Sequence, residues 1–144
     1  MKWKRVSAVG IGLCASVVMI GAGFAASNER EATMKHIGRS LRPLVEMSKS
    51  GKFDQAEAQK DGTAIAGYLD HFKDLFPAGS EKQDDQALPT IWSDPAGFEQ
   101  HRVDAKNAAL AIAASTDLAS FQTALKTLGG TCGSCHDKYR VKDN

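Results

Sequence analysis

Apolar residues in this chain recur at steps of three and four rather than in alternation, the pattern of helices that each bury one stripe. The first such stretch, Glu29 to about Ser50, sets Met34, Ile37, Leu41 and Leu44 on one face. Pro43 within it predicts a kink or a missing hydrogen bond, and Gly51 a C-terminal cap. Asp54 followed by Glu57 reads as a capping box opening a second helix, which carries Ile65, Leu69, Phe72 and Phe76 and stops at Pro77 and Gly79. Residues 77–94, with prolines, acids and no period, predict a surface loop that Ile91 and Trp92 tuck against the body. Ser93 or Asp94 then caps a third helix with Pro95 in its first turn and a face of Phe98, Ala105, Ala109 and Ile112. The fourth helix has Leu118, Phe121, Leu125, Leu128, Cys132, Cys135 and Tyr139 on one stripe. With no strand-like alternation and no internal repeat, the expectation is an all-α, antiparallel four-helix bundle.

The segment ahead of the first helix does not share this pattern. Lys2, Lys4 and Arg5 precede an uncharged run from Val6 to Ala25 that ends in small residues, Gly23 and Ala25. This reads as a secretory signal over residues 1–25, cleaved to leave a mature chain from Ala26 to Asn144. Cys14 lies inside that segment, and Leu13 before it argues against a lipoprotein site. Three of the 18 basic residues leave with the signal and none of the 17 acidic ones, so the remainder carries 15 against 17, a net −2. A nearly neutral surface of mixed sign predicts no nucleic-acid partner and no stable membrane insertion after cleavage.

Cleavage also concentrates the sulfur chemistry. The two remaining cysteines, Cys132 and Cys135, are followed at once by His136. A thioredoxin-like pair belongs at a helix start after a strand, and this pair sits near the end of a helical chain. A structural zinc site needs four ligands, commonly two such pairs. A bare disulfide leaves the histidine without a role. Covalent attachment of a c-type haem uses all three residues: two thiols alkylated by the porphyrin vinyls and an imidazole for the iron. Gly133 and Ser134 between the cysteines are small enough to leave room, and export fits a group that is attached outside the bacterial cytoplasm.

With "CGSCHDKYR" near the C-terminus, "IWSD" at Ile91–Asp94 followed by Phe98, and "REATMKHIGRSL" on the first helix, the chain resembles the class II cytochromes c, that is, the cytochromes c′ and their low-spin relatives. Gly129 and Gly130 suit the family's glycine before the motif, where close haem approach would explain two helix-weakening residues. The resemblance implies one haem c with iron, thioethers from Cys132 and Cys135, and His136 as proximal ligand. It further implies that Arg140 lies near the histidine side of the haem. Arg30, Glu31 and Phe72 are implied as further haem contacts.

On residues alone, Met34 on an apolar stripe is ordinary core filling. The resemblance gives it another part, because low-spin members take a distal methionine from this helix, commonly followed by lysine as in Met34–Lys35. The expectation is therefore a periplasmic electron carrier, not an enzyme, with Met34 as distal ligand and redox proteins as partners. The alternative is a five-coordinate, high-spin cytochrome c′ that binds NO or CO, and a remoter one is a haem-free helical binding protein. Pairing of two bundles into a homodimer stays open. His36, His71 and His101 read as surface imidazoles, with Lys35, Asp70, Lys73 and Arg102 as charged neighbours, and Trp92 as a loop anchor.

Overall fold

The computed structural model describes residues 21–82 and 86–142, with side chains from Asn28 onward. Residues 1–20 of the expected export segment lie outside the described residues, and Gly21–Ala25 are helical and continuous with the first helix. The elements are α1 (Gly21–Ser50), α2 (Gln55–Phe72), a 3₁₀ turn (Lys73–Leu75), α3 (Thr90–Ser93), α4 (Pro95–Ala113) and α5 (Leu118–Tyr139). No strand forms among the described residues; Ala87 and Arg140 make a single antiparallel bridge. Among the described residues, no helix is long and apolar enough to cross a membrane. The long helices form the expected four-helix bundle.

The helix ends follow from local chemistry. Gly51 takes φ of +68°, a left-handed conformation open to glycine, and its N–H donates to Met47 O at 3.1 Å to close α1. The Asp54 carboxylate accepts from Glu57 N at 3.0 Å, while the Asp54 N–H donates to Met47 Sδ at 3.5 Å. The capping box is thus half made, because the methionine sulfur takes the donor that a Glu57 side chain would have satisfied. Asp94 and Asp117 cap α4 and α5 by accepting from Gly97 N and Ser120 N. The α1 helix continues through Pro43 without a break.

Three expectations change. First, α2 ends at Phe72 rather than reaching Phe76, and the chain tightens into the 3₁₀ turn. Arg30 Nε donates to Leu75 O at 2.8 Å, which holds this turn against α1. Second, the long loop contains the short α3, with Ile91 buried beneath it. Third, Arg102 is buried rather than on the surface. Its guanidinium donates to both oxygens of Glu99 at 2.7 and 2.6 Å and to Leu69 O at 3.0 Å, joining α4 to α2. A buried arginine persists where its donors are matched in this way.

Packing divides the interior in two. The larger cluster includes Ile37, Leu44, Ile65, Ile112, Phe121 and Leu128. Full burial of such side chains contributes about 1.5–3 kcal/mol each. The smaller cluster is aromatic: Phe72, Leu75, Ile91, Phe98 and Tyr139, with Phe76 and Trp92 against it. Helices α2 and α4 pack closely along their length, as do α4 and α5, whereas α1 and α5 barely touch.

Candidate functional site

Cys132, Cys135 and His136 lie in the last two turns of α5. Helical geometry puts Gly129, Cys132, Gly133 and His136 on one face, at i, i+3, i+4 and i+7. A Cβ added at Gly129, Gly130 or Gly133 would meet nothing within 4 Å. Packing within the chain therefore gives no reason for three glycines, each of which costs a helix roughly 1 kcal/mol against alanine. The open space they leave adjoins the thiols and the imidazole, as the approach of a flat group would require.

Both cysteines are free thiols and half-buried. Burial raises the Cys132 thiol above its ordinary value, and burial together with the Cys132 sulfur pushes Cys135 up to about 11. Thiols used in disulfide exchange have lowered pKa values, and both thiols here shift the opposite way. The His136 ring is shifted the other way: burial, then the nearby Arg140 cation, lowers its pKa. A neutral imidazole with a free lone pair is the form that ligates a metal.

Met34, on the other side of the gap between α1 and α5, is half-buried and touches both clusters. Cys132 packs on the larger cluster and Cys135 on the aromatic one, and Met34 alone of the three sulfur residues touches both. Phe72 is in the aromatic cluster, edge-on to Phe76 at 5.0 Å between ring centroids. Arg140, exposed at the α5 terminus, acts electrostatically on His136.

Arg30 and Glu31, the other haem contacts that the resemblance implies, also have partners within the chain. Glu31 is exposed and paired with Lys35 at 2.6 Å, so its carboxylate is engaged on the surface of α1. Arg30 is buried, with Nη2 donating to Ser80 Oγ at 2.7 Å and its guanidinium 4.3 Å from the Phe76 centroid and 5.4 Å from that of Trp92. It braces the aromatic cluster against α1.

The remaining imidazoles are engaged away from the seam. His36 stacks on Tyr68 at 5.2 Å, and His71 sits exposed beside Glu29 and Asp74. His101 is half-buried rather than on the open surface. Its Nδ1 lies 3.3 Å from Ser134 Oγ, and its ring meets Tyr139 edge-on. Sequence reasoning missed the residues that fix the end of α5. Asp94 Oδ2 accepts from Lys138 Nζ at 2.7 Å and from the Tyr139 hydroxyl at 2.9 Å. The "IWSD" stretch was the available signal, and its spacing exposed only the cap.

The four-helix bundle, with Cys132, Cys135 and His136 near the end of α5, is similar to known proteins. Residues 25–140 match the family model described as Cytochrome C'. The chain belongs to the cytochrome c′ family. It is 39% identical over 142 residues to cytochrome c′ of Rhodopseudomonas palustris, spanning 92% of this chain and 96% of that protein. It is 38% identical over 147 residues to cytochrome c-556 of Agrobacterium fabrum, spanning 99% and 98%. The solved cytochrome c′ of Rhodopseudomonas palustris superposes with a TM-score of 0.75 at 37% identity, over 83% of this chain and 98% of that one. Cytochrome c′ proteins carry one covalent haem c with its iron, and the open seam and donor set of this chain fit that group.

Proposed function

We propose that this cytochrome c′ family member is an exported, non-enzymatic haem protein that binds NO or CO at an open iron face. In this reading Cys132 and Cys135 carry the thioethers and His136 is the proximal ligand. The bound haem iron supplies a reversible site for a diatomic ligand. The chain's residues do the rest: α5 fixes the attachment points, and His136 presents a neutral imidazole. The observation that carries the reading is the engagement of His36, His71 and His101 with partners of their own, so none is offered as a second imidazole for the iron. The family match to cytochromes c′ supports it further.

A second reading, electron transfer with Met34 as distal ligand, draws on the place of Met34 between the clusters that receive the two cysteines. A thioether paired with His136 would give a low-spin centre of raised potential. One experiment separates the two. Under gas binding, the oxidised protein is high-spin, the reduced protein takes up CO readily, and Met34→Ala changes neither. A low-spin spectrum that Met34→Ala converts to high-spin establishes electron transfer instead. Either reading requires denatured protein to keep its colour and one haem of added mass; two free thiols from a haem-maturing host refute both. Export predicts a periplasmic protein whose N-terminus lies at or near Ala26.

A further inference from the structure

The last turn of α5 is tied down from one side. The final carbonyls of a helix have no partner within it. Here the 86–94 connection supplies those partners. Thr90 Oγ1 donates to Lys138 O at 3.0 Å, and Leu88 N donates to Tyr139 O at 2.9 Å. Val141 N donates back to Gln86 O at 2.9 Å, which completes the bridge between Ala87 and Arg140. Side chains then lock rotation. Tyr139 is 3% exposed, with its ring edge-on to Phe98 at 5.3 Å and to His101 at 5.6 Å. Its hydroxyl donates to Asp94 Oδ2, the oxygen that also receives Lys138, while Asp94 Oδ1 caps α4 through Gly97 N. Gly97 makes this junction feasible: a Cβ there would run into the Asp94 carboxylate and lie 2.6 Å from the Tyr139 hydroxyl. One carboxylate therefore joins the start of α4 to the end of α5, one helical turn beyond His136.

We propose that the Gln86–Asp94 connection is a latch that orients His136, with Asp94 as its positioning residue acting through Tyr139. The proposal rests on the reading of His136 as the axial ligand. Since α1 barely touches α5, packing from that side does little to resist rotation of the α5 terminus. The latch supplies that resistance, and through the Tyr139 key it sets the plane of the imidazole one turn back.

The test uses holoprotein, with covalent attachment first established from the colour retained on denaturation. Asp94→Asn keeps an N-cap acceptor for α4 but removes the carboxylate that receives Lys138 and Tyr139. Tyr139→Phe keeps the ring packing and removes only the hydroxyl. Gly62→Ala, on the distant α2–α4 seam, is the control for general destabilisation. Proton NMR reads the spread of the paramagnetically shifted haem-methyl resonances, which follows the orientation of the axial imidazole in either spin state. Hydrogen exchange reads amides 138–141. Asp94→Asn and Tyr139→Phe are expected to change the methyl spread and to speed exchange at these amides roughly fivefold, as loss of about one hydrogen bond predicts. Gly62→Ala should alter neither, although it lowers stability. If both latch variants keep the wild-type methyl spread, or if Gly62→Ala shifts it equally, the positioning role is overturned. Absence of covalent haem in the wild type is a separate result: it refutes the function reading, and the role of Asp94 toward the iron falls with it.

Discussion

Two glycines of α2, five residues apart, should respond to alanine with opposite signs. At Gly62 an added Cβ would lie 2.7 Å from Ala113 N, 2.8 Å from Ala109 O and 3.1 Å from Ala113 Cα. All three are backbone atoms, so no rotamer change relieves the clash. Restoring an ordinary 3.4 Å contact from 2.7 Å requires the α2–α4 seam to part by about 0.7 Å. A gap of that size forfeits a quarter to a half of each dispersion contact across the seam, and overpacking of this kind costs about 1–3 kcal/mol. Against it stands the helix preference for alanine over glycine, roughly 1 kcal/mol. The close contact wins, for a net loss of about 1 kcal/mol at Gly62. Gly67 has nothing within 4 Å, so only the propensity gain remains there. Thermal unfolding followed by far-UV circular dichroism should show Gly62→Ala lowered by about 4 °C and Gly67→Ala raised by about 4 °C, for a domain of this size. Stabilisation by Gly62→Ala would refute the close α2–α4 approach.

Asp61 is 5% exposed and its Oδ2 has no hydrogen-bond partner, so Asp61→Ala should stabilise by about 1–2 kcal/mol by removing an uncompensated buried polar group. A urea midpoint that moves down at unchanged slope would count against this. Hydrogen bonds from Lys138, Tyr139 and Gly97 hold the Asp94 carboxyl at about 2, below its ordinary 3.8. Asp94 therefore stabilises the fold above about pH 3.8, and that contribution disappears as pH falls through about 2. Asp94→Asn should flatten the acid limb of a stability-versus-pH curve in that window; an unchanged limb places the acid sensitivity in other groups. Gly129→Ala and Gly130→Ala should stabilise the haem-free chain by roughly 0.5–1 kcal/mol each, since nothing opposes the new methyl groups. The same changes should lower the yield of covalent haem if the glycines exist for its approach, and equal yields would remove that explanation.

The bundle was legible because its stripes are local. Leu118 through Tyr139 step by three and four, and the structure buries Phe121, Leu128 and Tyr139 on that stripe. The caps at Gly51, Asp54 and Asp94 were legible for the same reason, since each depends on residues within a turn. What the sequence hid depends on partners far along the chain. Arg102 looks like a surface cation until Leu69 O and Glu99 are placed around it. Asp94 shows its cap to Gly97 but not its bonds to Lys138 and Tyr139, more than forty residues away. The site divides in the same manner. Two thiols and an imidazole within five residues point to a covalent haem by spacing, and the haem c of the family agrees with that group. Glu31 is placed at the haem by resemblance alone, whereas its pairing with Lys35 at i+4 was readable from the helix itself.

The bundle is asymmetric, and the asymmetry accounts for both its stability and its site. Gly62 lets α2 approach the backbone of α4, the small side chains of Ala105 and Ala109 fill that seam, and Arg102 ties the two helices where the aromatic cluster begins. The start of α4 is joined in turn to the end of α5 through Asp94 and Tyr139. These bonds join α2, α4 and α5 in sequence, with Asp94 and Tyr139 at the α4–α5 end near His136. Helix α1 can then stand off from α5, held to the aromatic end by Arg30 on Leu75 O and Ser80. A bundle packed equally on all four seams would have to open one to admit a porphyrin. In this chain the α1–α5 seam is already the loosest, while α5, which carries Cys132, Cys135 and His136, packs closely on α4.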